Sequence, residues 1–150
     1  MKERGEAVTG KQVYRGDVYY TVGWSRLSRV NKMDILNKVP AVAGIYELYY
    51  QDPRKKLILF YMARVWYGGL RGSLRENTDP LLVEEPRRKK VLEEKDCFYR
   101  YTMVSSVQDM EDILHYFALS RVPAPAVPEP SGRYRDIYLT EETEDRLITI

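Results

Sequence analysis

The sequence is poor in the residues that build metal clusters and nucleophilic pairs. Among its 150 residues there is one cysteine, Cys97, and one histidine, His115. A single Cys excludes an internal disulfide, and so few Cys and His exclude a zinc site built from them. A Cys–His or Ser–His nucleophilic pair would have to use His115. Any chemistry therefore has to depend mainly on carboxylates, Arg, Lys and Tyr, and tyrosine is abundant, with 13 residues.

Long apolar runs and a strong charge of one sign are also lacking. The hydrophobic fraction is 44% and the charged fraction 31%, and no apolar run is long enough to cross a bilayer, which excludes a membrane-spanning protein. The first residues, MKERGEAVTGK, contain no apolar run typical of a signal peptide, so we expect a cytoplasmic protein. The net charge of +2 permits a polyanionic partner without requiring one.

The length predicts one domain, residues 1–150, with a central core and two flanking segments. The N-terminal extension, residues 1–35, contains a Tyr- and Val-rich stretch around a Gly16-Asp17 turn signal, which indicates a strand or hairpin. A short helix is predicted over residues 25–38, ended by Pro40. Residues 121–150 begin with a Pro-rich linker and continue into a short C-terminal segment with one plausible edge strand, RYRDIYL.

The strongest local pattern is a β-hairpin at the start of the core, which spans residues 36–120. Two runs rich in β-branched and aromatic residues, AGIYELYY and KLILFYMA, flank an Asp52–Lys55 turn that contains a proline. With that turn, Tyr46 lies directly opposite Tyr61, with Leu48 and Leu59 beneath them. Such an aromatic pair is also an ordinary way to stabilise a hairpin. Because both faces of the strands are apolar, we expect the sheet to be covered on two sides.

A helix, a strand and a second helix follow the hairpin. The first helix, residues 70–77, places Arg71 and Arg75 one turn apart, where they could bind phosphate or form a solvated charged face. If the helix folds back over the hairpin, Arg71 could face the two tyrosines. A charged loop is predicted over residues 78–96, then a strand over 97–105 and an amphipathic helix over 106–120. The order β, β, α, β, α indicates an α+β domain.

Charged residues outside the hairpin add further candidates. Arg87, Arg88 and Lys89 belong to a basic run that could follow a phosphate backbone, although flanking glutamates make a solvated loop an equal alternative. Glu111 lies beside the apolar stripe of the last helix, where a carboxylate can hold a hydrated divalent ion or form an ion pair. His115 follows one turn later on the same side and is otherwise an ordinary boundary residue.

Taken in order, these residues resemble the GIY-YIG nuclease family, and the resemblance covers roughly residues 36–117. It is carried by a Pro-containing lead-in to an intact GIY motif, by a YMA sequence in place of YIG, and by an Arg and a Glu at matching elements. The residues are Lys38 to Ala43, Gly44-Ile45-Tyr46, Tyr61-Met62-Ala63, Arg64, Leu70-Arg71, and Glu111 with Leu114.

The resemblance implies a small antiparallel three-stranded sheet flanked by helices and the metal-dependent hydrolysis of a phosphodiester bond in DNA. Glu111 would hold one Mg²⁺ or Mn²⁺, which polarises the phosphate and stabilises the departing oxygen. Arg71 would stabilise the phosphoryl oxygens, and Tyr61, with Tyr46 beside it, would position or deprotonate the attacking water. Further contacts with DNA are expected from Arg64, Arg75, Arg87, Arg88 and Lys89.

Two departures support an alternative function. Ala63 replaces the glycine of the second motif, and the asparagine that often follows the acidic helix is missing. A catalytically impaired relative would use the same fold as a nucleic-acid-binding or protein-interaction module. In either case we expect no large recognition domain, so a protein partner could supply specificity.

Overall fold

The computed structural model of the protein describes residues 7–120 and 129–143, and this part is an α+β structure. The elements, in chain order, are β1 (Thr9–Tyr14), β2 (Asp17–Gly23), β3 (Ser28–Arg29), α1 (Lys32–Lys38), β4 (Gly44–Gln51), β5 (Leu57–Val65), α2 (Gly69–Asn77), α3 (Pro86–Glu94), β6 (Cys97–Met103), α4 (Val107–Ala118) and β7 (Ile137–Glu142).

The main sheet is antiparallel, with the strand order β3-β6-β4-β5. The predicted hairpin is confirmed as β4 and β5, and the predicted third strand as β6. The two-residue strand β3 adds a fourth strand that the sequence did not predict. Strand β4 is central and its residues 44–49 are buried, so the prediction that both sheet faces are covered is also confirmed.

The predicted register of the hairpin is wrong. Tyr46 lies opposite Ala63, and Tyr61 lies opposite Leu48, while Leu59 pairs with Tyr49. The turn is one residue longer than expected, because Gln51 pairs with Leu57, and an irregularity between Leu48 and Tyr49 adds a second residue to β5. Side chains alternate with a period of two, so this double shift leaves Tyr46 and Tyr61 on the same sheet face as diagonal neighbours.

Three of the four helices begin at a side-chain cap. Asn31 caps α1, which is shorter than predicted because residues 28–29 pair with β6. Ser106 caps α4, and its side chain accepts a hydrogen bond from the backbone N–H of Asp109. Helix α3 lies within the predicted charged loop, with Glu85 as its N-cap and Pro86 in its first turn. Pro is common at the first position of a helix, but Glu is not among the usual N-cap residues, so the segment carried only part of a helix-start signal.

A second sheet, with the order β1-β2-β7, combines the predicted N-terminal extension with the C-terminal segment. The extension, predicted to form a strand or a hairpin, forms a hairpin of β1 and β2 that turns at Arg15 and Gly16. Strand β7 pairs in parallel with β2 and is an edge strand, as predicted. Most of the predicted Pro-rich linker, residues 121–128, lies outside the described residues.

Two apolar clusters define the layers. One contains Tyr46 and Leu48 of β4 with Ile35 of α1 and Leu70 and Leu74 of α2, so these helices cover one sheet face. The other joins residues of β4 and β5 on the opposite face to α4 and the second sheet, and it includes Ile45, Met62, Met110, Ile113, Leu114, Phe117, Val18, Tyr20 and Val22. Helix α4 therefore packs on the face opposite α2. None of the helices in the described ranges has the length and apolar composition needed to span a bilayer.

Candidate active site

The start of β4 is closely packed, which explains why a glycine begins the GIY sequence. A Cβ atom on Gly44 would overlap the carbonyl oxygen of Thr102 on β6. It would also lie 2.8 Å from Cδ1 of Leu70 on α2. Because the first of these obstacles is backbone, no rotamer change relieves it. Gly44 thus allows α2 to pack directly over the beginning of the central strand.

Tyr46 and Tyr61 lie side by side beneath α2. Their ring centroids are 6.1 Å apart and the rings are tilted. Tyr46 is fully buried, and its hydroxyl shares a hydrogen bond of 3.0 Å with Oγ of Ser73. Burial raises the pKa of the Tyr46 phenol well above its ordinary value, so Tyr46 stays protonated at neutral pH. Tyr61 is half-buried.

Two more side chains complete this group. Asn77 Nδ2 donates to Oγ of Ser73 over 3.3 Å, and Arg88 on α3 donates to Oδ1 of Asn77 over 3.4 Å. The Arg88 guanidinium also lies 4.1 Å from the centre of the Tyr61 ring, a cation–π contact. Tyr46, Tyr61, Ser73, Asn77 and Arg88 form a connected set, here called the tyrosine cluster.

Ser73 and Asn77, rather than Arg71, contact the tyrosines. Arg71 is half-buried and its Nε donates to the carbonyl of Val39 over 2.8 Å, at the end of α1. Arg71 and Ser73 lie on opposite flanks of α2, because two residues correspond to about 200° of helix rotation. The i, i+4 spacing of Ser73 and Asn77 in the sequence could have identified them as one face of the predicted helix.

Arg75 lies on the same flank as Arg71 and lines a different part of the molecule. A cavity of about 230 Å³ is situated between α1 and the C-terminal end of α2. It is lined by Val30, Lys32, Ile35, Arg75, Thr78, Asp79 and Pro80. Arg75 therefore lies at this cavity and does not join the tyrosine cluster.

Glu111 lies on the second turn of α4, on the layer opposite the tyrosine cluster, and is half-exposed. Helices α2 and α4 nevertheless begin at the same end of the sheet. The backbone N–H of Leu70 donates to Val42 over 2.8 Å, and that of Val104, just before α4, donates to Ala43 over 3.2 Å. Arg71 and Glu111 therefore lie on two helices that begin at the same end of the sheet but cover its opposite faces.

The donor chemistry at Glu111 fits a hydrated divalent ion. Mg²⁺ usually keeps several waters and needs one or two carboxylates together with substrate phosphates. Within the described residues Glu111 forms no ion pair, and no group of three or more His, Cys, Asp or Glu side chains assembles a fuller site. Glu111 would therefore be a single protein ligand.

The remaining predicted contacts are spread over two elements. Arg64 on β5 and Arg87 on α3 are exposed, and Lys89 on α3 is half-buried. Residues 69–94 contain six basic and six acidic residues, so the surface formed by α2 and α3 is balanced in charge. Any preference of this surface for phosphate must come from individual placements such as Arg88, and not from a large positive field.

The sequence analysis did not identify two sets of charged residues that pair inside the fold. Glu47 on β4 lies opposite Arg100 on β6, and both are buried. Asp109 and Asp112 on α4 bind Arg133 over 2.8 and 2.9 Å. The Tyr20 hydroxyl lies within hydrogen-bond distance of both carboxylates, at 3.0 and 3.1 Å. A lone charge inside each apolar strand run, GIYELYY and CFYRYTM, was a signal for the first pair.

The fold and the site define an α+β protein with an antiparallel hairpin of β4 and β5 and a tyrosine cluster beneath the helix that follows it. A family model described as "Uncharacterised protein" matches residues 8–150, and the chain belongs to this family. No curated protein and no solved structure matches the chain significantly.

Proposed function

We propose that the protein is a metal-dependent DNA endonuclease of the GIY-YIG type. The observation that carries the proposal is the approach of Tyr46 and Tyr61, with rings 6.1 Å apart on one sheet face beneath α2. The strand order around β4, with β6 and β5 as neighbours and a helix directly after β5, supports the same proposal. A cytoplasmic location, as expected from the sequence, belongs to the proposal.

The two tyrosines would have different roles. Tyr46 keeps its proton at neutral pH, because burial raises its pKa, so it would position its neighbours through Ser73 and would not act as a base. Tyr61 is half-buried and is the member of the pair that could contact an attacking water. Arg88, over the Tyr61 ring, supplies a positive charge beside that position.

Arg71 and Glu111 complete the proposed chemistry from the two helix starts. Arg71 would bind the phosphoryl oxygens and stabilise their charge as the bond breaks. Glu111 would hold Mg²⁺ or Mn²⁺, and the chemistry such an ion would supply there is charge stabilisation at the phosphate and at the departing 3′ oxygen. Arg64, Arg75, Arg87 and Lys89 would contact DNA beyond the broken bond, and a protein partner could add specificity.

A plasmid-nicking assay tests this function. Purified protein is incubated with supercoiled DNA and Mg²⁺ or Mn²⁺, beside Tyr61→Phe, Arg71→Ala and Glu111→Ala. The matched control is Arg54→Ala, an exposed arginine at the hairpin turn. We expect nicking that requires the metal, is lost in the three site variants and is unchanged in the control. Nicking that all four variants retain would point to a contaminating nuclease and refute the proposal.

A second candidate function, a nucleic-acid-binding or protein-interaction module without catalysis, is favoured by one observation. Arg88 covers one face of the Tyr61 ring, and Tyr46 is fully buried, so neither phenol ring is fully exposed on the surface. This candidate predicts DNA binding with no nicking in either metal. Arg88→Ala separates the two, since uncovering Tyr61 should alter the nicking rate of an enzyme.

A further inference from the structure

Two adjacent aromatic side chains project from the end of β5. Tyr67 is 90% exposed and Trp66 is 43% exposed, whereas the second tryptophan, Trp24, is 3% exposed. Single exposed apolar residues are common on protein surfaces and need no explanation. Trp66 and Tyr67 are instead adjacent, and together they form an exposed aromatic surface beside the end of the sheet where α2 and α4 begin.

The backbone holds this pair in place from both sides. Val65 before it is buried, and Gly69 after it has a φ of +74°. A Cβ on Gly69 would lie 2.6 Å from the carbonyl carbon of Ala41, so glycine is required for this close approach. The N–H groups of Leu70 and Arg71 then donate to the carbonyls of Val42 and Pro40. The aromatic loop, defined as residues 66–69, is thus anchored and already presents its side chains.

The charge around the aromatic loop differs from that of α2 and α3. Residues 64–71, RVWYGGLR, contain two arginines and no acidic residue. Arg64 is exposed and precedes the loop, and Arg71 follows it. Planar rings next to cations match the two repeating parts of a nucleic-acid strand, its bases and its phosphates.

We propose that Trp66 and Tyr67 stack on unpaired bases of single-stranded DNA, with Arg64 on an adjacent phosphate. The choice of DNA depends on the proposed function, and the inference adds that the recognised region is single-stranded. An aromatic side chain can stack only on a base whose face is exposed. In a duplex the bases stack on one another, so only those at the ends have an exposed face. Because the loop is anchored before binding, little ordering cost is incurred there.

The experiment uses the fluorescence of Trp66 as its probe, since the other tryptophan is buried. The full chain is titrated with an oligothymidylate in the presence of EDTA, so that no cleavage occurs. We expect quenching by the single strand and weaker quenching by a duplex of equal length. Tyr67→Ala should weaken binding about tenfold, as expected for losing one stacked base. Tyr138→Ala, which removes a 47% exposed tyrosine on β7, should bind like the parent.

Trp66→Phe gives a second measurement, by anisotropy of a labelled oligonucleotide. It should bind nearly as well as the parent, because Phe can stack, while Trp66→Ala binds about tenfold more weakly. Equal affinities for Tyr67→Ala, Trp66→Ala and the parent would overturn the inference. Quenching by anionic phospholipid vesicles but not by DNA would overturn it in favour of a membrane surface. Because all measurements are made in EDTA, a protein that binds but never nicks refutes only the enzymatic proposal.

Discussion

Glu47 and Arg100 face each other across β4 and β6 and form an ion pair of 2.7 Å in which both side chains are buried. The Tyr49 hydroxyl donates to the same carboxylate over 2.8 Å. The Trp24 ring lies 4.3 Å from the guanidinium, on the side of the second sheet. A charged pair is therefore enclosed between the two sheets, where each partner is held by the other and by aromatic neighbours.

Removing one member of this pair should be costly. Arg100→Met leaves a buried carboxylate without its cation, which typically costs about 3–5 kcal/mol of unfolding free energy. Urea denaturation measures the loss, and Arg29→Met is the matched control. Arg29 pairs with Asp96 over 3.0 Å, but both are 62% exposed, so we expect less than about 1 kcal/mol. Replacing Glu47 by Leu as well should recover part of the loss, and equal costs at Arg100 and Arg29 would contradict this interpretation.

Two glycine-to-alanine substitutions should have opposite effects. Gly44→Ala places a methyl group against the Thr102 carbonyl and Leu70, and should destabilise the fold by about 3 kcal/mol or more. Gly72→Ala lies inside α2, where an added Cβ meets no atom within 4 Å. It should stabilise the fold by roughly 0.5–1 kcal/mol, because alanine favours the helix. Thermal unfolding distinguishes the two, and a neutral Gly44→Ala would show that β6 and α2 can move apart.

Alkaline pH should destabilise the protein through its buried tyrosines. Burial raises the pKa of both Tyr46 and Tyr20, and the carboxylates of Asp109 and Asp112 raise that of Tyr20 further. In the unfolded chain these phenols ionise near the ordinary value of about 10. Between that value and the higher folded pKa the unfolded state binds fewer protons, so stability falls as pH rises.

The variants Tyr46→Phe and Tyr20→Phe test this dependence. Each should reduce the slope of unfolding free energy against pH above about 10, while the dependence below pH 9 stays as in the parent. Tyr67→Phe, which changes a side chain that is 90% exposed, is the control for tyrosine content. An unchanged alkaline slope in both buried variants would mean that these phenols ionise normally in the folded protein.

The contact between α4 and the segment before β7 should govern stability in acid. Arg133 binds Asp109 and Asp112, and Lys11 and Tyr20 also donate to Asp109. Burial disfavours the charged form of Asp109, but these hydrogen bonds outweigh it, so its pKa is lowered. The resulting stabilisation is present above the ordinary value of about 4 and is lost as pH falls through the lowered pKa.

Arg133→Leu should therefore cost about 1–3 kcal/mol at neutral pH and flatten the loss of stability in acid. The cost stays moderate because Ser131 and Tyr20 still donate to Asp112. Arg29→Leu is the matched control, since Arg29 pairs with Asp96 and both side chains are 62% exposed. If both variants lose stability equally at neutral pH and in acid, the buried ion pair has no special role.

The sequence predicted the elements of the main sheet better than their alignment. The Asp52-Pro53 turn and its flanking runs identify the hairpin, but one extra turn residue and one irregularity in β5 decide its register. Neither feature has a clear local pattern. The sequence also did not determine which flank of α2 faces the tyrosines. Burial of Leu70 and Leu74 leaves Ser73 and Asn77 on one flank of the helix and the two arginines on the other. Only packing against α1 decides which flank meets the tyrosines.

The second sheet was beyond local prediction for a different reason. Its strands were visible, but the parallel pairing of β2 with β7 joins segments from the two ends of the described chain. Such a pairing depends on the shape that the intervening core presents, and on Asp109 and Asp112, whose partner Arg133 precedes β7. The candidate tyrosines share a face as expected, while Glu111 was assigned to a helix whose layer the sequence did not specify.

The parallel pairing of β2 with β7 has a consequence for the order of folding. Residues 18–23 cannot complete their sheet until residues 137–142 have left the ribosome. Contacts so distant in sequence form slowly, because a long loop must close before they contribute stability. During synthesis the hairpin of β4 and β5 can fold first. The apolar side of α4 is not yet packed against the complete second sheet at that stage. A nascent chain at that stage exposes apolar surface, and partly folded forms of this kind are prone to aggregation.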